Sequence, residues 1–358
     1  MIDTSKKSYE KNFEEKKKLF REAFSDISEI EYFASPPKNF RYRAEFNLLK
    51  LEKEYAFGMT LEGKKKPVGS FPIASKRIQE LMPCLLNHIT KHPLISEKLF
   101  QVEFQSTRNS EIMVSLIYHK ILDEIWYERA SEISSELGIS IIGRSRKQRL
   151  IIGNNYVTEI YNYLNKGFSL KLYEQCFSQT NPYICDDMLD WVARNSADSK
   201  KDIVELHCGL GTFTILLSNL YKKVLATENS RPSIKALEEN IRLNNKQNIY
   251  YGRLSGKETI EALREIRPYQ RLSLVNLNEF EIDSIFLDPP REGLDQFTRD
   301  NIVEMENIIY ISCGFESFRR DITELQKTHQ VVNLAMFDQF PYTDHIESGA
   351  ILKRKAPD

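Results

Sequence analysis

A chain of 358 residues, 41% hydrophobic and 28% charged, is long enough for two domains that each bury a core of their own. Its 50 basic and 51 acidic side chains leave a formal charge of −1, so no global field draws in nucleic acid and any RNA-binding surface has to be local. Five cysteines (Cys84, Cys176, Cys185, Cys208, Cys313) without paired close spacing argue against a disulfide framework, a metal site or an iron–sulfur cluster and fit a reducing cytoplasm, while no apolar run approaches a membrane span and the charged stretch Met1 to Phe24 is unlike a secretory signal.

Residues Lys6 to Ile27 read as an amphipathic helix whose lysines and glutamates form a solvated face, to which no chemistry is assigned. Phe40 to Phe46 alternates, with aromatics and Ala44 on one face and Arg41, Arg43 and Glu45 on the other, the pattern of a half-buried strand. Tyr55 to Met59 can pair with it, and Gly63 to Pro67 makes a basic turn. A helix over Ser75 to His88, strands at Leu99 to Gln105 and Glu111 to His119, a helix over Leu122 to Leu137 and a basic hairpin over Ser140 to Ile152 follow. This interleaving predicts an α+β unit whose cationic loops could hold phosphates, although each patch alone is equally well explained as a solubilising loop.

After Gln175 strands and helices alternate: helix 182–194, strand 203–206, a glycine loop and helix, strand 223–228, helix 231–243, strand 248–251, helix 257–266, strand 283–287, then the apolar Ile308 to Ile311 leading to Ser312-Cys313-Gly314. The pattern predicts a doubly wound α/β sheet, with residues 1–175 as one domain and 176–358 as the other.

Three motifs carry chemistry. In Asp202 to Phe213 an apolar strand enters Gly209-Leu210-Gly211 before a helix, and strand 223–228 ends in Glu228, an acid suited to a ribose diol. Thr214 stands where the dinucleotide fingerprint has its third glycine, which suits S-adenosylmethionine better than a pyrophosphate cofactor such as NAD. Asp288-Pro289-Pro290-Arg291 ends a strand in a rigid turn, and Arg291 replaces the aromatic that amine methyltransferases place there. Cys313 sits at a strand tip, where ligands bind in parallel sheets; a free cysteine is most often a small buried hydrophobe, and its company makes it a candidate nucleophile. Glu347, after Phe337-Asp338-Gln339-Phe340-Pro341-Tyr342-Thr343-Asp344-His345, could be a general base or a surface residue.

With Asp-Pro-Pro-Arg-x-Gly-Leu-Asp, Ile-Ser-Cys, Phe-Asp-Gln-Phe-Pro-Tyr-Thr-x-His, Phe177 to Asn181, Ser115 to Lys120 and Phe40 to Phe46, the chain resembles the bacterial tRNA (uracil-5-)-methyltransferases over nearly its whole length. The resemblance implies a class I adenosylmethionine-dependent methyltransferase sheet behind an N-terminal α+β RNA-recognition domain. It implies methyl transfer from S-adenosylmethionine to carbon 5 of uridine 54 in the T loop of tRNA, extending to the tRNA-like part of tmRNA, by a soluble cytoplasmic monomer that needs no metal. Matched by position, Cys313 is the family nucleophile and Glu347 the base, and Gln179, His207, Thr212, Glu228 and Asp288 fall where the family contacts the methyl donor. Gly314-Phe315 stands where the family usually has Asn-Pro, His207 where tyrosine is common and Thr212 where asparagine is.

The chemistry needs both partners: carbon 5 of uracil becomes nucleophilic only after a thiolate adds at carbon 6, and a base must then remove the carbon 5 proton. The thiolate needs a cationic or hydrogen-bonding neighbour that the sequence leaves unnamed. The target base has to be flipped out of the stack, and Phe104, Tyr42 and Arg43 are candidates to replace it, although each alone is better explained as core or rim. A ribosomal-RNA uracil-5 methyltransferase and an RNA-folding factor with secondary catalysis are the alternatives, a nicotinamide-dependent dehydrogenase a more remote one.

Overall fold

The computed structural model describes residues 3–52, 54–61, 63–196 and 201–356. Helix α1 (Lys6–Ala23) starts where the Ser5 hydroxyl accepts from the Ser8 N–H, and the short strand β1 (Glu31–Phe33) follows. Next come β2 (Arg43–Lys50), β3 (Tyr55–Leu61), β4 (Lys64–Pro67), β5 (Leu99–Ser106), β6 (Ile112–Tyr118), β7 (Ser140–Ser145) and β8 (Gln148–Ile152), in one sheet of order β4-β3-β2-β5-β6-β7-β8. Its neighbours pair antiparallel except β6 and β7, which are parallel because a helix connects them.

Helices α2 (Lys76–Lys91), α3 (Pro93–Ser96) and α4 (Glu124–Leu137) supply the other half of this core: Ile78, Leu81, Leu85 and Ile89 from α2 and Trp126, Ala130 and Ile133 from α4 join Ala44, Phe46, Val102 and Phe104 of the sheet. The opposite face of β2 carries Arg43 and Glu45, so the alternation in the sequence is the alternation of the pleat.

A hairpin of β9 (Tyr156–Tyr163) and β10 (Lys166–Tyr173) leads into α5 (Pro182–Asn195). The hairpin is not evident in the sequence: its turn uses Leu164 and Asn165, both at positive φ, in place of the Asn-Gly pair that usually marks such turns. The second sheet is built from β11 (Asp202–Leu206), β12 (Val224–Thr227), β13 (Ile249–Gly252), β14 (Ile282–Leu287), β15 (Asn307–Ser312), β16 (His329–Phe337) and β17 (Glu347–Arg354), with α6 (Thr212–Leu217), α7 (Arg231–Leu243), α8 (Gly256–Leu263), α9 (Gln296–Asn301) and α10 (Phe315–Leu325) between them. Strand order is β1-β16-β17-β15-β14-β11-β12-β13. One core lies against α5, α6 and α7, the other against α1, α8 and α10, which makes the sheet doubly wound.

Two departures from sequence patterning position the site. Strand β1 pairs in parallel with β16, so the chain's first elements dock on the sheet built by its last ones. Strand β17 runs antiparallel to both β15 and β16, which brings its first residue to the edge where the parallel strands end. Among the described residues no helix is long and apolar enough to cross a membrane.

Candidate active site

Parallel strands deliver their C-terminal ends to one edge of the sheet, and the candidate residues collect there. Leu206 pairs with both Thr227 and Leu287, and Leu287 with Tyr310, so His207, Glu228 and Asp288 follow three adjacent strand ends and Cys313 follows a fourth. The final pair between β15 and β17 is Ser312 with Ser348. Cys313 follows that pair on one strand and Glu347 precedes it on the other, so both come to the same end of adjacent strands, where the Glu347 charge acts on the Cys313 thiol. Cys313 is partly exposed and Glu347 is buried.

Burial pushes the Cys313 thiol up to about 11, the charges of Glu347 and Asp288 push it the same way, and the Arg291 guanidinium beside it opposes them. Burial holds Glu347 well above the ordinary carboxylate range, Asp288 adds to this, and Arg291 again opposes. Arg291 is therefore the cation that acts on both groups, in the position for which the sequence named no residue.

The turn that carries Arg291 is locked by a side chain sequence reasoning missed. Asp321, fully buried on α10, accepts from the Leu294 N–H at 2.9 Å, the Tyr310 hydroxyl at 2.7 Å and Arg299 Nη1 at 3.1 Å. Its signal was an acid at helical spacing with Phe318, Ile322 and Leu325, on the face that has to be buried. The Ser317 hydroxyl donates to the Arg291 carbonyl at 2.7 Å, and a Cβ on Gly314 would lie 2.3 Å from that same oxygen. The departure from the family's Asn-Pro thus has a local reason, since the Arg291 backbone fills the space a side chain at 314 would need.

On the cofactor side, Gly209 (φ +57°) and Gly211 (φ +101°) turn the chain from β11 into α6, and a Cβ on Gly211 would lie 2.6 Å from Leu237. His207 also has positive φ, and burial lowers its imidazole toward the neutral form. Glu228 accepts from the Gly209 N–H at 3.1 Å and the Ser230 N–H at 2.6 Å, which fixes its carboxylate against the loop while leaving lone pairs for a ligand. Burial, with a smaller push from the Glu228 charge, raises Asp288 to about 7 and Glu205 to about 8, while the Thr214 hydroxyl opposes the rise at Glu205, so the strand ends gather several carboxylates that hold their protons tightly. Thr212 opens α6. Gln179 accepts from Gln339 Nε2 at 2.7 Å, which ties the segment before α5 to the loop before β17 and leaves the Gln179 amide nitrogen free to donate.

Of the three N-terminal candidates for stacking, Phe104 falls to its core reading. Phe104 is fully buried against Phe46 and Phe57, so it is core and cannot stack on a base. Arg43 is spent on the Cys176 carbonyl at 2.8 Å, and the Tyr42 hydroxyl on Tyr183 at 3.0 Å. Phe100 instead stacks on His119, centroids 3.9 Å apart and planes within 9°, in a groove lined also by Lys120, Arg144 and Arg146. Phe177, two residues before Gln179, is 67% exposed.

A family model described as tRNA (Uracil-5-)-methyltransferase matches residues 8–355. A protein of Aliarcobacter butzleri named tRNA/tmRNA (uracil-C(5))-methyltransferase is 42% identical over 356 residues, covering 97% of this chain and 95% of that protein. One of the same name from Nitratiruptor is 40% identical over 346 residues, covering 97% and 96%. Among solved structures, a Pyrococcus abyssi tRNA (uracil-54, C5)-methyltransferase in complex with S-adenosyl-L-homocysteine has the same fold, with a TM-score of 0.74 at 21% identity over 96% of this chain and 83% of that one.

Proposed function

The chain belongs to the tRNA (uracil-5-)-methyltransferase family, and from that premise we propose that it methylates carbon 5 of uridine 54 in the T loop of tRNA, with Cys313 as nucleophile and Glu347 as general base. The observation that supports this assignment of roles is the pairing of Ser312 with Ser348, which brings Cys313 and Glu347 to the same end of adjacent strands, with Arg291 acting on both. The relatives' names favour tRNA, with the tRNA-like part of tmRNA, over ribosomal RNA.

The acidic, glycine-turned strand ends fit S-adenosylmethionine: Gly209, Gly211, Thr212, Asp288, His207 and Gln179 would hold it, and Glu228 would accept from its ribose. When bound there, S-adenosylmethionine supplies a methyl group on a cationic sulfur. Arg291 stabilises the Cys313 thiolate, which adds to carbon 6 of the flipped uracil and pushes the ring electrons toward carbon 5 and the carbonyl oxygen. Once carbon 5 has gained its methyl group, the Glu347 carboxylate removes the proton from that carbon, the double bond re-forms and the thiolate leaves. Its raised proton affinity makes Glu347 a stronger base than an exposed glutamate.

The division of labour we infer is RNA recognition by residues 1–175 and methyl transfer by 176–358, although residues through Phe33 dock on the second sheet. The cationic groove of Phe100 and His119 offers a stacking platform for an unstacked base, and Phe177 an aromatic surface near the flipped uridine. Since nucleophile, base and donor site come from one chain, we take the working unit to be a monomer, and a tRNA substrate together with unpaired cysteines supports a cytoplasmic location. Incubating tRNA transcripts and ribosomal-RNA fragments with isotopically labelled methyl donor, then digesting them for mass spectrometry, tests the reading; labelled 5-methyluridine at position 54 is expected. Cys313→Ala should form no covalent RNA adduct, whereas Glu347→Gln should slow turnover by about 10²–10⁴-fold and trap one.

A further inference from the structure

Helix α1 has the composition of a solvated surface element, yet its inward face holds the segment between β16 and β17 at several points. Lys16 is 4% exposed, and its ammonium donates to Asp338 Oδ1 and to the Phe340 carbonyl, both at 2.8 Å. One turn earlier the Asn12 side-chain carbonyl accepts from the Tyr342 N–H at 2.9 Å, where the chain adopts a φ of +64°. The Tyr9 ring meets the Tyr342 ring edge-on, and the Tyr342 hydroxyl donates to the Pro37 carbonyl at 2.8 Å. Below these contacts α1 is anchored by Phe20 and Phe24, which pack on Phe315 and Phe318 of α10.

The segment gripped in this way ends at Glu347 and carries Gln339, the partner of Gln179. A lysine taken out of water loses several kcal/mol of hydration, which its ion pair recovers only with good geometry and further hydrogen bonds. An apolar side chain would fill the same space on a helix otherwise docked by phenylalanines. What the lysine adds is direction: it fixes one carboxylate and one carbonyl at the start of the segment, while Asn12 fixes the backbone further along.

We propose that Lys16 and Asn12 are positioning residues for the general base, holding the 338–346 segment so that Glu347 meets the carbon 5 proton and Gln339 orients Gln179. The inference rests on the assignment of Glu347 as base. Loosening the clamp slows proton abstraction, which needs a placed carboxylate, more than RNA binding. The covalent adduct, formed before that step, therefore builds up.

The experiment uses the full chain with a tRNA transcript and S-adenosylmethionine, measuring kcat, KM for tRNA, adduct level and melting temperature. Asn12→Ala buries no new charge and should lower kcat about tenfold, leave KM within about twofold, and raise the adduct fraction. Lys16→Met should lower kcat by about 10²-fold, and Lys16→Arg should restore most of the loss. Combining Lys16→Met with Asp338→Leu removes the uncompensated carboxylate, so the melting temperature should return while kcat stays low. Wild-type kcat in Asn12→Ala, or recovery of kcat together with melting temperature in the double variant, overturns the proposal; should the lysine variants fail to fold, Asn12→Ala decides alone. Glu347→Gln is run alongside: if it traps no adduct, the base assignment is wrong, whereas if it traps adduct while the clamp variants turn over normally, the base stands and the clamp falls.

Discussion

On the N-terminal side of the molecule buried carboxylates meet guanidinium groups: Glu174 lies 2.9 Å from Arg144 and 3.0 Å from Arg149, and Glu159 2.9 Å from Arg108. At the strand ends of the second sheet the arrangement is reversed: burial raises the proton affinity of Glu205, Asp288 and Glu347, and the Glu228 charge adds to this at Glu205 and Asp288, as the Asp288 charge does at Glu347. The first set is complete in the free protein and fixes how the first sheet, the β9–β10 hairpin and α5 sit together. The second makes no ion pair among the described residues. Paired charges here are architecture, and unpaired ones are where perturbed proton affinities point to chemistry.

The largest effect should come from taking away Arg291, the cation that acts on both Cys313 and Glu347. Arg291→Met should lower turnover at neutral pH by about 10²-fold and move the pH–rate profile to more alkaline values, because both thiol and carboxylate lose the charge that favours their ionised forms. Stopped-flow adduct formation across pH 6–10 measures it, and an unmoved profile would show that Arg291 serves only to shape the turn.

Removing one of the clustered carboxylates should have a smaller and two-sided outcome. Asp288→Asn should weaken S-adenosylmethionine binding by about tenfold, yet raise the melting temperature of the ligand-free protein at pH 8. The sign follows from linkage: Asp288 and Glu205 bind protons more tightly folded than unfolded, so each favours the fold at acidic pH. That contribution fades as pH rises from the ordinary carboxylate range through about 7 for Asp288 and about 8 for Glu205. The ligand-free protein should therefore melt at lower temperature at pH 8.5 than at pH 6, and S-adenosylmethionine should narrow that gap more than S-adenosylhomocysteine, which lacks the sulfonium charge. Calorimetry with both ligands checks this, and equal narrowing by the two would break the link between acidity and donor charge.

The smallest effect on catalysis should come from the paired set. Glu174→Gln leaves Arg144 and Arg149 with a weaker partner and should lower unfolding stability by about 1–3 kcal/mol with kcat unchanged, read by urea titration beside a turnover assay. A fall in kcat without a fall in stability would erase the distinction.

What was legible in the sequence follows the same division. The strand-end residues could be found because each sits where an apolar run stops, a position that periodicity marks directly, and the order of strand and helix after Gln175 gave the doubly wound sheet. Phe104 belongs to the core, the reading its alternation favoured over a stacking role, but period two puts it in phase with Phe100, and the pleat alone does not say which is buried. A register irregularity between Leu99 and Gln101 lies at Phe100, which stacks on His119 while Phe104 stays in the core. Lys16 lies at helical spacing with Phe13 and Phe20, on the buried face, but inside a run of lysines its burial depends on a carboxylate 322 positions away that no local pattern reveals. Strands β1 and β16 were missed for related reasons, one being three residues long and the other losing its alternation at the irregularity between Val331 and Asn333.

The parallel pairing of β1 with β16 bears on how the protein is made. Synthesis proceeds from the N-terminus at roughly 5–20 residues per second, so α1 and β1 leave the ribosome well before the strand they pair with exists. The seven-stranded sheet, whose pairings close within residues 43–152, can form in the meantime, but the second sheet keeps an open edge until the last strands emerge. A nascent chain thus has its first sheet assembled while Cys313 and Glu347 are still apart.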